Sequence, residues 1–244
     1  MCRHLAYLGS PRSLGELLLA PSHSLEVQSY APKEMRGALL NADGFGVCWH
    51  ADGDFARYRS TLPLWGDENL PELAHLRSTC VVANARSATP GMGMGILNTP
   101  PFLHDGWAFS HNGYVRGFRD GTMRELRARL SDAAYASIRG TTDSEHLFAI
   151  FLDAPESDPV DALRHTIATI HELDPDAETL LSLIVSDGTQ ILACTHAFGG
   201  DAPTLYLHHA DDTWIASEPT FDADWTPITG GVRVTSSGVE RFAL

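Results

Sequence analysis

Four short stretches of the chain hold residue types that can do chemistry together. Cys2 directly follows Met1. Where Met1 is removed, as is usual ahead of a small second residue, Cys2 carries a thiol and a free α-amine on one residue. An α-amine has an ordinary pKa of about 7.7–8.0, so near neutrality it can take the thiol proton, directly or through one water, without a histidine partner. The plainer reading is that Cys2 only begins an ordered strand. Ser110-His111-Asn112-Gly113 follows the strand-like Trp107-Ala108-Phe109 and reads as a strand end. There the Asn112 amide and the Gly113 N–H make two donors suited to the oxyanion of an acyl-transfer intermediate, although Asn-Gly is equally a turn signal. Arg86, in Asn84-Ala85-Arg86-Ser87-Ala88-Thr89-Pro90-Gly91, closes an apolar strand and opens a glycine-containing loop. Its guanidinium can grip a carboxylate through two parallel hydrogen bonds, or pair internally with one of the 31 acidic residues. Asp143, in Thr141-Thr142-Asp143-Ser144-Glu145, stands where a helix begins, so it reads first as an N-cap and second as a partner for an ammonium group.

Composition narrows what such residues can serve. The chain has 244 residues, 43% of them hydrophobic, enough for a substantial core without disulfides or metals. A net charge of −14 repels nucleic-acid phosphates and anionic membrane surfaces. No apolar run approaches the roughly 18 residues of a spanning helix, and Met1-Cys2-Arg3-His4 leads into no apolar leader, so a cytoplasmic location is expected. Cys2, Cys48, Cys80 and Cys194 are far apart, with none of the paired spacings of a zinc or dithiol site, so no metal is expected. Cys48 and Cys80 lie in apolar runs and read as small buried hydrophobes.

The elements that must position these residues follow from periodicity. Strands are expected at Cys2 to Leu8, at two runs within Phe45 to Ser60 around an Asp52-Gly53 turn, at Leu76 to Arg86, and at Trp107 to His111. Ser13 and Glu16 form a capping box for a short helix. The middle reads as helical: Met123 to Ile138 behind a Thr122/Glu125 capping box, then Ser144 to Leu152, then a segment capped by Asp158 with Pro159 at its first position. Strands return at Leu180 to Ser186, Gln190 to Thr195, Thr204 to His208 and Thr213 to Ser217. No linker, repeat or low-complexity tract divides the chain, so one domain over residues 1–244 is expected, with packed sheets and helices outside them.

An N-terminal Cys, a strand-end Arg, His-Asn-Gly and a loop Asp, in this order, resemble the class II glutamine amidotransferase domains of the N-terminal-nucleophile hydrolases, over nearly the whole chain. The resemblance is closer still to the branch of stand-alone amidases that serve ergothioneine biosynthesis. It rests on Met1-Cys2-Arg3-His4-Leu5-Ala6-Tyr7-Leu8-Gly9, Gln28-Ser29-Tyr30-Ala31-Pro32, Asn41-Ala42-Asp43-Gly44-Phe45-Gly46, Pro63-Leu64-Trp65, Arg86-Ser87-Ala88-Thr89 and Ala216-Ser217-Glu218-Pro219. It implies an α+β fold, the four-layer αββα sandwich, with no cofactor and no metal. It implies Cys2 as nucleophile and its amine as base, with Asn112 and Gly113 as oxyanion donors. Arg86, helped by Thr89, would hold a glutamyl α-carboxylate, and Asp143 the α-ammonium.

The wider class commonly has an aromatic residue after the Arg and a His shortly before Pro-Phe, where this chain has Ser87 and Pro100. Its head-group pocket must therefore be completed differently. His104 and His111 do not occupy the matching place and read as structural, His111 orienting the Asn112 segment. At 244 residues nothing is expected beyond the hydrolase, so no acceptor synthase accompanies it. The implied activity is hydrolysis of γ-glutamyl-hercynylcysteine sulfoxide to glutamate and the free amine. The alternatives are a glutaminase subunit of a two-chain enzyme and a γ-glutamyl amidase of other specificity. The expected partner is a small γ-glutamyl molecule, neither nucleic acid nor membrane, and the oligomeric state is not legible. Tyr30, Phe45 and Trp65 are candidates for an aromatic wall facing a trimethylammonium group, or for ordinary packing.

Overall fold

In a strand, successive side chains point to opposite faces. The first strand sends Leu5 and Tyr7 to one side and His4 and Ala6 to the other, and all four are buried. A strand apolar on one face and closely covered on the other belongs inside a stack of layers. The structure, a computed structural model, describes residues 1–89 and 91–244, so Pro90 of the quoted loop lies outside the described residues.

In chain order the strands are β1 (Arg3–Ser13), β2 (Phe45–Ala51), β3 (Asp54–Ser60), β4 (Arg77–Ala85), β5 (Phe102–His104), β6 (Trp107–Val115), β7 (Thr179–Ser186), β8 (Ile191–Phe198), β9 (Tyr206–His209), β10 (Thr213–Ala216), β11 (Thr226–Pro227), β12 (Gly230–Thr235) and β13 (Gly238–Phe242). They form two antiparallel sheets, ordered β11-β9-β10-β1-β4-β2-β3 and β13-β12-β8-β7-β6-β5. Helices α1 (Leu14–Leu18), α2 (Leu25–Tyr30) and α3 (Leu70–Leu73) pack Leu14, Leu17, Leu25 and Leu70 onto Leu5, Tyr7, Val81 and Phe45 of the first sheet. Helices α4 (Thr122–Arg129), α5 (Asp132–Ser137), α6 (Asp143–Asp153) and α7 (Pro159–Leu173) follow in the chain. Leu126, Leu147, Phe148, Leu163 and Ile167 of α4, α6 and α7 cover Phe109, Leu181, Leu183 and Val185 of the second sheet.

Between the sheets lies a third core of smaller side chains, among them Ala6, Cys48, Cys80, Val82, Ala108, Ile184, Ala193 and Ile215. The layers therefore run helix, sheet, sheet, helix, as the resemblance implies. Each fully buried Leu or Phe contributes about 1.5–3 kcal/mol. Cys48, Cys80 and Cys194 are buried, and burial pushes each thiol up to about 12, so they act as small hydrophobes. No helix of the described residues is long and apolar enough to cross a membrane, and none of their His, Cys, Asp or Glu groups cluster as metal ligands.

Local signals explain several boundaries. Ser13 and Glu16 exchange both bonds of a capping box at α1, Asp158 caps α7 with Pro159 in its first turn, and Asp52 and Gly53 take positive φ in the β2–β3 turn. Three expectations need correction. The stretch Met123 to Ile138 is two helices, because Ser131 breaks off to cap α5 through Ala134 N and bonds Asp153. Thr122 forms no capping box; it is the first residue of α4 and its hydroxyl donates to Asp174. The hairpin β12–β13 closes the second sheet where no strand was anticipated, since Gly230-Gly231 and Gly238 interrupt the alternation.

Candidate active site

Cys2 stands one residue before the first β1–β4 pair, Arg3 with Ala85, so the antiparallel register sets it beside Arg86. Its Sγ lies 3.7 Å from the Ser87 carbonyl oxygen. A buried ion pair fixes this end of β1. Arg3 donates through Nε to the Cys2 carbonyl at 2.8 Å and through Nη1 to Glu218 at 3.0 Å. Glu218 also accepts from the backbone N–H groups of Lys33 and Glu34 and from His23 Nε2. These donors, with Arg3⁺, hold its carboxyl below the usual range against the opposing effect of burial.

Across the inter-sheet space, His4 bonds Ser110 Oγ at 3.1 Å and Ser182 Oγ at 2.9 Å. Ala6 and Ala108 share the apolar core there. Two residues further along the same two faces puts Cys2 over Asn112. The stretch Ser110 to Gly113 is not a strand end, because β6 continues to Val115 and pairs with β7 throughout. What frees its N–H groups is the brevity of β5, which covers only Trp107 to Phe109 of the other edge. Val115 N–H points from that open edge to Asp143 Oδ2 at 2.9 Å. Alternation along the strand turns Gly113 N–H the same way. Gly113 is required: its φ is +152°, and a Cβ would run into the Leu180 carbonyl. Asn112 is fully buried, and among the described residues neither atom of its side-chain amide has a hydrogen-bond partner.

Arg86 is buried and has no carboxylate partner among the described residues, so the internal salt bridge is not formed. It donates to the carbonyls of Asp43 and Gly93, at 3.3 and 3.0 Å. Its Nε–H has no partner among the described residues and remains available. Asp143 is not the N-cap: Thr142 caps α6 by accepting from Glu145 N, and Asp143 is its first residue. That offset turns the Asp143 carboxylate to the open edge of β6. His111 donates through Nε2 to the Leu180 carbonyl at 3.1 Å and accepts at Nδ1 from Ser144 Oγ at 2.9 Å, tying β6 to the start of α6. Burial pushes its pKa down.

Cys2, Arg86, Thr89, Gly113 and Asp143 all line one narrow cleft, completed by Ser87, Asn98, Pro100 and Ser144. Asn112 is fully buried and is not among the residues lining it. Ser87, Thr89, Met92 and Gly113 also border a wider vestibule, lined by Tyr114, Phe118, Arg36, Arg116, Arg119, Asp120, Glu178 and Asp201. The supposed aromatic wall is elsewhere. Phe45 is core, and Tyr30 and Trp65 pair edge to face at 5.8 Å outside both spaces. His104 is on β5 and also lies outside both.

The chain as a whole has relatives among known proteins. A family model described as glutamine amidotransferases class-II matches residues 19–202. The chain belongs to the class II glutamine amidotransferases. It is 40% identical to a γ-glutamyl-hercynylcysteine sulfoxide hydrolase of Mycolicibacterium smegmatis, over 93% of this chain and 92% of that protein. A hydrolase of the same description from Mycobacterium tuberculosis is 37% identical over 100% of this chain and 97% of that one. The solved structure of a glutamine aminotransferase class-II domain protein from Silicibacter pomeroyi matches with a TM-score of 0.76 at 28% identity, covering 100% of both chains.

For a class II amidotransferase the residues that sequence reasoning missed are those without reactive side chains. Asn98 bonds the Gly93 carbonyl through Nδ2 and Thr141 N through Oδ1, closing the pocket floor. Asp43 accepts from Ala88 N at 2.7 Å and so shapes the loop after Arg86. Asp43 and Glu218 were visible only as members of segments that carried the resemblance.

Proposed function

We infer that the whole chain, residues 1–244, acts as one γ-glutamyl amidohydrolase domain. Its substrate is γ-glutamyl-hercynylcysteine sulfoxide, cleaved to glutamate and hercynylcysteine sulfoxide. The observation that carries this reading is the single cleft gathering a thiol, a guanidinium, a carboxylate and an unpaired strand edge, in a chain 40% identical over nearly its full length to a hydrolase of that description. Arg86 takes the glutamyl α-carboxylate, Thr89 assists, and Asp143, which keeps free lone pairs beside its bonds to Val115 and Ser144, takes the α-ammonium.

With Met1 removed, the Cys2 α-amine accepts the thiol proton and Sγ attacks the γ-carbonyl carbon. The negative charge that develops on the carbonyl oxygen meets Asn112 Nδ2–H and Gly113 N–H, both without other duties. The C–N bond breaks, the α-ammonium returns the proton to the leaving amine, and a γ-glutamyl thioester remains on Cys2. Water, deprotonated by the same amine, then releases glutamate and restores the thiol. The vestibule supports a large leaving group of mixed charge, since it presents three guanidiniums, three carboxylates and two aromatic rings.

Glutamate release from the sulfoxide substrate and from glutamine tests the reading. Glutamine lacks the remote hercynyl portion, so its kcat/KM should be lower by about 10² or more, if ~3 kcal/mol of transition-state binding comes from that portion. Equal kcat/KM for the two would assign the protein a glutaminase role instead.

A further inference from the structure

One buried amide beside the chain start has no task in the chemistry above. Asn41 lies in the segment between α2 and β2, fully shielded from solvent, its backbone N–H held by the Ser29 carbonyl at 2.7 Å. Its Nδ2 donates to the Met1 carbonyl oxygen at 2.8 Å, and its Oδ1 has no partner among the described residues. The Met1 carbonyl carbon is bonded to the Cys2 nitrogen. The amide is therefore aimed at the peptide bond whose cleavage creates the Cys2 α-amine. Hydrolysis of that bond consumes one water, releases methionine with its new carboxylate, and removes the one acceptor that Asn41 Nδ2 has among the described residues. A buried amide left with neither atom bonded costs about 1–3 kcal/mol for each unsatisfied group. The group that appears in its place is an amine.

We propose that Asn41 is the positioning residue for the Cys2 α-amino group: in the processed enzyme its amide oxygen takes one amine N–H and turns the lone pair toward Sγ. This rests on the reading of Cys2 as a nucleophile with a free amine. An amide can present Oδ1 instead of Nδ2 by rotating its plane by half a turn, with no change in shape. In the unprocessed chain burial disfavours the charged form of the Met1 amine; the Cys2 thiol and Asp43 oppose this, and Arg3 acts with it. Asp43 itself is held by Ala88 N, so it supplies charge without direct orientation. Asn41 supplies the direction. The other buried amide of the proposed machinery, Asn112, is read above as an oxyanion donor, so the two amides have different tasks, one toward the base and one toward the oxyanion.

The test uses full-length protein prepared with Cys2 as its first residue, by cleavage of a fused leader and with the mass confirmed. Asn41→Asp and Asn41→Leu are compared with the parent for glutamate release across pH 5.5–9.5, with a thermal melt for each. Asn41→Leu keeps the volume and loses the acceptor, so kcat falls by roughly tenfold, the equivalent of one hydrogen bond, while KM changes less than about twofold. Asn41→Asp restores an acceptor and adds charge, so kcat recovers at high pH while the acid limb of kcat/KM moves up by about one pH unit. A purely structural Asn41 would lower the melting temperature and leave the acid limb in place. Should the acid limb of Asn41→Asp coincide with that of the parent, or Asn41→Leu keep the parental kcat, the proposal is overturned while the Cys2 reading stands. Should parent protein that retains Met1 be fully active, the Cys2 reading itself is overturned.

Discussion

Cys2 contributes one small side chain to packing at the rim of the inter-sheet space, so replacing it tests chemistry far more than folding. Cys2→Ala is expected to release no glutamate while its melting temperature stays within about 3 °C of the parent, a shift worth ~1 kcal/mol in a chain of this size. Turnover by that variant would move the nucleophile elsewhere. Arg86 differs because it has two tasks. Two of its nitrogens anchor the Asp43 and Gly93 carbonyls, and what is left faces the cleft. Lysine offers a point charge in place of a planar fork, so Arg86→Lys should raise KM for γ-glutamyl substrates by about tenfold or more with a smaller change in kcat. Steady-state kinetics at saturating and limiting substrate separate the two, and an unchanged KM would leave Arg86 as a loop anchor only.

At the scale of elements, the site is made by where two of them stop. β5 ends after three residues and leaves the far edge of β6 unpaired. α6 begins one residue earlier than a capping Asp143 would set it, because Thr142 rather than Asp143 takes the cap. The cap makes Asp143 the first helical residue, so the proposed role of its carboxylate extends to a threonine without catalytic chemistry. Thr142→Val removes the oxygen that accepts Glu145 N at 3.2 Å and should cost about 1 kcal/mol, or roughly 2–4 °C in melting temperature. KM should rise severalfold as Asp143 loosens. A melt shifted as expected with an unchanged KM would separate the cap from substrate binding.

Across the whole molecule, burial works against the charged form of three histidines, opposed for His111 and His146 by the carbonyls they bond. His4 sits between two serines, His111 between a serine and a carbonyl, and His146 between the Thr142 carbonyl and the Arg127 guanidinium. Burial pushes all three pKa values down, that of His146 to about 4. A histidine whose folded pKa lies below its ordinary 6.5 binds fewer protons folded than unfolded at acid pH. Its contribution is therefore present above pH 6.5 and is lost as pH falls from there toward the folded value. For His146 alone the difference is about 3 kcal/mol between pH 6.5 and 4. Melting temperatures should fall steadily from pH 7 to pH 5, and His146→Gln should flatten that slope while lowering stability at pH 7. A slope identical to the parent's would remove His146 from the account.

Sequence alone determined much of this protein, because several decisive signals are local. The alternation in β1, the Asp52-Gly53 turn, the Ser13 and Asp158 caps and the apolar faces of α6 and α7 each depend on a few neighbouring residues, and each is found where its pattern lies. The reactive types were legible for the same reason: a thiol next to a chain start, one arginine at the end of an apolar strand, and an Asn-Gly pair. Only the tertiary structure decided how they meet. The register of β1 on β4 sets Cys2 beside Arg86, and the shortness of β5 exposes Gly113. Thr142, not Asp143, caps α6, and Phe45 disappears into the core while Tyr114 and Phe118 line the vestibule. Asn41, Asn98 and Glu218 gave no signal of their own, since an amide or a buried carboxylate acquires its task from groups tens to hundreds of residues away. Pairing across sheets, and the burial that leaves one amide without a partner, are properties of the assembled layers.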